Sequence, residues 1–191
     1  MKAGGGHRKG ATFERDICRQ LSLWWTDNVR DDIFWRTPQS GGRATRREQK
    51  GKGTAGNYGD IMAVDQIGIP LINFMTFELK YGYGLASAMD LVDGSSKSLW
   101  RKWIIGAQRV CDEAGSLYWA LIVRRHQKRC VICYPEAMHI AFSWPGPFRD
   151  GWPTRVKIKH LELGTLMVMQ LDDFLTGLRP GFINEVLEDG D

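Results

Sequence analysis

Long apolar runs are missing from this chain of 191 residues. None approaches the roughly 18 residues a membrane-crossing helix requires, so no membrane association is expected. The first ten residues, MKAGGGHRKG, lack the apolar segment of a secretory signal. They read as a flexible basic arm over residues 1–10, and the location expected is cytoplasmic. Cysteine is scarce as well. Cys18, Cys111, Cys130 and Cys133 are too few and too scattered for a disulfide framework. The CVIC segment matches CxxC formally, with His126 and His139 nearby. It looks like a strand, however, where positions i and i+3 face opposite ways, and no second CxxC completes a four-cysteine zinc site. Internal repeats are also absent.

What is present suits a packed globular protein: 43% hydrophobic and 25% charged residues. The length suggests one domain, with a core over 11–140 and a C-terminal extension over 141–191 packed on it. The net charge of +4 is unevenly spread. Between Arg43 and Lys52 there are five basic residues and one acid, whereas Asp172 to Asp191 holds six acids and one arginine. A basic N-terminal portion suits a polyanionic partner, although such runs are commonly just solvated loops.

Apolar spacing predicts a helix over 11–25, with Phe13, Ile17, Leu21, Trp24 and Trp25 on one face and Glu14 and Arg15 on its flanks. Strands are expected over 32–38, 59–65 and 71–81, with a basic, glycine-rich loop at 41–59 and a turn at Ile69-Pro70. A second helix is expected over 98–114, stopped by Gly115. Strands over 116–125 and 129–135 follow, joined by a polar turn. Beyond Pro135 the pattern weakens to an edge strand at 155–163 and a short helix at 171–178. The fold class expected is α/β, a mixed central sheet with flanking helices in the order αβββαββ.

Glu78 and Lys80 interrupt the apolar strand in TFELKYGYG. Strand alternation puts them on one face with Phe74 and Thr76. Asp60 opens the preceding strand, and the short connection makes the two strands neighbours. Two carboxylates offer hard oxygen ligands for Mg²⁺ or Mn²⁺. A lysine beside them can orient or deprotonate a water, or stabilise transition-state charge. The bare pattern is cheap, since Glu48-Gln49-Lys50 also matches it, but that copy lies in the basic loop with no strand to hold it. The bland alternative is a strand end whose charges simply reach water.

Asp60 with Glu78-Leu79-Lys80 resembles the PD-(D/E)xK nuclease superfamily, with Gly59 where its name has proline. RKGATFERDICRQL is similar to the opening helix of archaeal-type Holliday junction resolvases, FWRTPQSGG to their first strand, and GDIMAV and TFELK to their metal-binding strands. AGSLYWALIVRR resembles the strand after their second helix. The likeness spans residues 8 to 125 in order and implies a restriction-endonuclease-like αβββαβ core. By resemblance Asp60 and Glu78 are metal ligands with the Leu79 backbone carbonyl, Lys80 is the catalytic lysine, and Glu14 helps hold a metal or its water. Arg36 and Ser40 match positions near the DNA backbone, and Gln108 is a candidate polar residue near the site. The same likeness implies DNA, branched DNA in particular, as partner, and a homodimer making paired cuts.

Two departures bear on substrate choice: the loop is longer and more basic than in the small archaeal enzymes, and 141–191 has no counterpart. GKGTAG at 51–56 matches GxGxxG without the preceding strand and following helix of a dinucleotide site, so no nucleotide cofactor is expected. It reads instead as a loop whose Arg43, Arg46, Arg47, Lys50 and Lys52 contact phosphates. Trp144 and Trp152 lie in a proline-rich loop, either anchoring it or stacking on unpaired bases. The reading reached is a Mg²⁺- or Mn²⁺-dependent DNA endonuclease that resolves four-way or other branched DNA. The alternatives are a duplex, flap or nicking endonuclease and, more distantly, a DNA-binding protein that no longer cuts.

Overall fold

The structure, a computed structural model, describes residues 5–38, 58–95, 97–141 and 155–188. Helix α1 (Gly5–Trp25) begins earlier than the sequence pattern suggests, and its apolar stripe of Phe13, Ile17, Cys18 and Leu21 is buried. Strand β1 (Phe34–Arg36) is tied to α1 by the buried Ser22 hydroxyl, which accepts the backbone N–H groups of Ile33 at 3.1 Å and Phe34 at 2.9 Å. The same hydroxyl donates to the Cys18 carbonyl at 2.8 Å, so a helix turn and a strand start share one buried polar atom. Strand β2 (Ile61–Ala63) pairs with β1 antiparallel, Arg36 facing Ile61.

The segment expected as one strand over 71–81 divides in two. Ile69–Phe74 forms helix α2, with Pro70 in its first turn, and only Met75–Tyr81 is extended, as β3. A short apolar run does not by itself distinguish buried helix from strand. Proline pre-set at a helix start and the 3-10 turn Gln66–Gly68 before it decide for helix here. Phe74, expected beside Glu78, therefore sits in α2 and packs into the core.

Helices α3 (Met89–Val92) and α4 (Leu99–Ala114) cross from β3 to the parallel strand β4 (Tyr118–Arg124). The Ser98 side chain caps α4, and Gly115 closes it in the left-handed conformation at φ 69°, as the sequence suggested. Strand β5 (Cys130–Pro135) returns antiparallel to β4 and leads into α5 (Glu136–Ala141). On β5, Cys133 joins the cluster beneath α4 while Cys130 packs against the α1 side, so the two sulfurs occupy opposite faces.

Past residue 154 the chain re-enters the sheet. Strand β6 (Arg155–His160) is the expected edge strand, and β7 (Gly164–Gln170), which the sequence pattern missed, inserts between β5 and β6. The sheet order is β3-β4-β5-β7-β6, mixed because only β3 and β4 run parallel. Helices α6 (Leu171–Gly177) and α7 (Pro180–Glu188) complete the α1 side. Two apolar cores result, one under α1, α2, α6 and α7 and one under α3 and α4. No helix among the described residues is long and apolar enough to cross a membrane.

Candidate active site

β3 is an edge strand of the five-stranded sheet, and the β1–β2 ribbon docks on its open edge at one point. There the Asp60 amide donates to the Phe77 carbonyl at 2.8 Å. The Asp60 side chain returns to the same edge, its Oδ2 accepting the Leu79 amide at 2.8 Å. Two bonds, one from backbone and one from side chain, thus stand in for a continuous ladder. β2 and β3, expected to be neighbouring strands, lie in separate sheets and are joined only by this clasp.

Gly59 makes the clasp sterically feasible. Its φ of 73° is disfavoured for residues with a Cβ, and an added Cβ would lie 2.7 Å from the Phe77 carbonyl oxygen. Thr37, fully buried, brackets the turn: its amide donates to the Asp60 carbonyl at 3.0 Å and its Oγ1 to the Gly59 carbonyl at 2.9 Å. Nothing in the sequence pattern singled out Thr37, because one threonine at a strand end carries no recognisable signature.

Alternation along β3 divides the site. Phe77 and Leu79 face the α1 core, whereas Thr76, Glu78 and Lys80 face the α4 side. The Lys80 ammonium is ion-paired with Glu78 Oε1. Burial works to lower the Lys80 pKa, but the charges of Glu78 and Asp60, with the Glu78 hydrogen bond, outweigh it and leave it raised. The Asp60 carboxyl is pushed up to about 7, first by burial and then by the negative charge of Glu78; Lys80 and the Leu79 amide work the other way. Asp60, Glu78 and Lys80 are thereby brought together, as anticipated from the sequence.

Glu14 approaches from α1. Its carboxylate adds to the upward shift of Asp60, and its Oε2 pairs with Arg36 Nε at 3.0 Å. The resemblance implies a place for Arg36 near the DNA backbone, and nothing in the sequence pattern signals its pairing with Glu14. Cys18, one helical turn past Glu14, lies beneath them; its thiol is pushed up to about 12, mainly by burial and further by Glu14 and Asp60. Gln108 is partly buried on α4, the helix covering the Glu78 side of the sheet, and makes no hydrogen bond to Asp60, Glu78 or Lys80. Ser40, Arg43, Arg46, Arg47, Lys50 and Lys52 lie outside the described residues, as do Trp144 and Trp152.

Among the described residues, no three His, Cys, Asp or Glu side chains gather as a metal centre. The donor set is smaller: two carboxylates and, on the β3 edge that carries the Leu79 amide, the Leu79 carbonyl. It fits Mg²⁺, which keeps several waters and is typically held by one or two carboxylates plus substrate phosphates.

A mixed α/β sheet carrying two carboxylates and a lysine at the edge of its first parallel strand is the core of a PD-(D/E)xK-type nuclease. The family model described as "Phage putative PDDEXK endonuclease" matches residues 5–185, and the chain belongs to that family. Its members are nucleases, a class that acts on DNA and generally uses divalent metal ions. The match runs through β6 and β7. No curated protein and no solved structure matches the chain.

Proposed function

We propose that this protein is a Mg²⁺- or Mn²⁺-dependent DNA endonuclease whose active site is Asp60, Glu78 and Lys80, assisted by Glu14. The observation that carries the reading is the clasp: Asp60, locked onto the Leu79 amide, holds a carboxylate against the strand edge beside Glu78 and Lys80. Asp60, Glu78 and the Leu79 carbonyl would hold the divalent ion, which when bound polarises the scissile phosphate and acidifies a water. Lys80 aligns that water for in-line attack on phosphorus, and the P–O3′ bond breaks to leave a 5′-phosphate and a 3′-hydroxyl. Glu14 orients the water or metal from the α1 side. Arg36, Ser40 and the basic loop residues Arg43, Arg46, Arg47, Lys50 and Lys52 steady the DNA backbone, with Gln108 near the site.

Four-way or other branched DNA is the substrate we favour, cut by a homodimer, on the strength of the resolvase-like motifs over residues 8–125. A duplex or nicking endonuclease of phage DNA processing is the second reading, favoured by the phage family itself. The test compares cleavage of a four-way junction and a linear duplex of the same sequence with Mg²⁺, beside a Glu78→Gln control. Paired symmetric cuts in the junction alone support resolution. Cuts in both move the protein to the second reading. Binding without cleavage of either overturns the catalytic assignment.

A further inference from the structure

The β4–β5 hairpin carries Arg124, Arg125, Lys128 and Arg129, with no acid before Glu136. It is fastened to the catalytic strand. Tyr81 pairs with Arg124 one step past the Lys80–Val123 register, and the Gly82 amide donates to the Arg124 carbonyl at 3.0 Å. The hairpin end is tight: the Lys128 backbone amide donates to the Arg125 carbonyl at 3.1 Å, and Gln127 adopts φ 58°. The cations are therefore displayed on a fixed element. Arg124, Lys128 and Arg129 are exposed.

They differ from the ion-paired cations elsewhere in the molecule. Arg19, Arg30, Arg36, Lys80, Arg101 and Lys157 are all ion-paired. Among the described residues, none of the four hairpin cations has a carboxylate partner; Arg129 donates instead to the neutral Gln170 side chain at 2.9 Å. Two surface hollows flank Arg124. One of about 250 Å³ lies between the hairpin base and α1, bordered by Lys9, Asp16 and Tyr81; the other, of about 470 Å³, is bordered by Lys128, Arg129 and Asp172. Asp16 and Asp172 are the two carboxylates against four cations, Lys9, Arg124, Lys128 and Arg129, and Asp172 already accepts from Gln20 at 3.1 Å.

We propose that Arg124, Lys128 and Arg129, with Lys9 of α1, form a second DNA-backbone surface, which holds the duplex to one side of the cut. The inference rests on the nuclease reading above. The hairpin reaches about three residues beyond the Lys80 register, or about 10 Å at strand rise. That matches about three base-pair steps of a duplex, so the surface meets phosphates near the scissile one rather than a remote arm. The electrostatic contact is sequence-independent and releases counterions on binding.

The experiment uses the full chain carrying Glu78→Gln, so that DNA is bound and not cut, and follows binding of a labelled duplex as salt is varied. Adding Arg124→Gln, Lys128→Gln and Arg129→Gln should make the log–log slope shallower by about 2.7, since each lost phosphate contact removes about 0.9. Lys159→Gln, exposed on β6 at the opposite edge of the sheet, should leave the slope unchanged. Replacing the two arginines by lysine should largely preserve it, which separates charge from folding. A triple variant with the original slope, in a protein that still binds DNA and cuts when Glu78 is restored, overturns the hairpin surface alone. A protein that does not bind DNA with Glu78→Gln and does not cut it with Glu78 restored overturns both readings.

Discussion

The Asp60 carboxylate occupies the place of a neighbouring strand's carbonyl: its Oδ2 accepts the Leu79 amide at 2.8 Å on the free edge of β3. One group thus closes the fold locally and supplies a charge to the site. That dual use costs stability when no cation is bound, because a partly buried carboxylate faces the charge of Glu78.

Asp60→Asn should therefore separate folding from function. Asparagine keeps an oxygen for the Leu79 amide but loses the charge, so cleavage should fall by at least about 100-fold. The Asp60 pKa is raised from 3.8 to about 7 in the metal-free fold. Its ionisation therefore withdraws stability as pH rises from about 4 to above 7. In EDTA at pH 8 the variant should melt a few degrees higher than the parent, at about 2–4 °C per kcal/mol, and the gap should close near pH 4. An equal or lower melting temperature at pH 8 would contradict the stored repulsion.

Gly59 stands where the superfamily signature has proline, and restoring that proline should harm the protein. Proline is confined near φ −65°, whereas Gly59 sits at 73°. Gly59→Pro and Gly59→Ala should both displace Asp60 from the β3 edge, because even the smaller Cβ meets the Phe77 carbonyl oxygen at 2.7 Å. Cleavage should drop about 100-fold or more, with a loss of about 1–3 kcal/mol in chemical denaturation. A fully active Gly59→Pro protein would refute the left-handed turn.

Glu14 and Arg36 meet at 3.0 Å inside the site, so their substitutions should not add. Glu14→Gln and Arg36→Gln should each slow cleavage, and the double variant should lose less than the sum of the two losses. Single-turnover rates in a double-mutant cycle read a coupling of about 1 kcal/mol or more. Additive losses would mean that the pair does no joint work.

His139 supplies a pH dependence away from the active site. Its ring is buried, with Nδ1 3.3 Å from the Tyr134 hydroxyl. Burial, reinforced by the charge of Arg155, lowers its pKa from 6.5 to about 4. A depressed histidine is neutral in the fold, so its stabilising contribution is present above pH 6.5 and is lost as pH falls toward 4. Denaturation midpoints of the parent should decline over that window by the equivalent of about 2 kcal/mol more than those of His139→Gln. Parallel pH profiles would remove the effect.

The sequence by itself determined the local chemistry. Period-3.6 apolar stripes marked α1 and α4, Gly115 marked a stop, and strand alternation put Glu78 and Lys80 on one face. These are properties of neighbouring residues, so short-range pattern carries them. The tertiary structure alone decided the rest. Leu71 to Phe74 is as apolar as the strand after it, and a proline-started helix takes it out of the strand. β7 reads as an ordinary apolar run, and only its pairing with β5 and β6 makes it central. The meeting of Glu14 with Arg36, and the closing of Asp60 onto Leu79, join residues 22 and 19 positions apart. Such distances are set when an edge strand, a helix and a left-handed turn pack together, and no periodicity in the chain records that event.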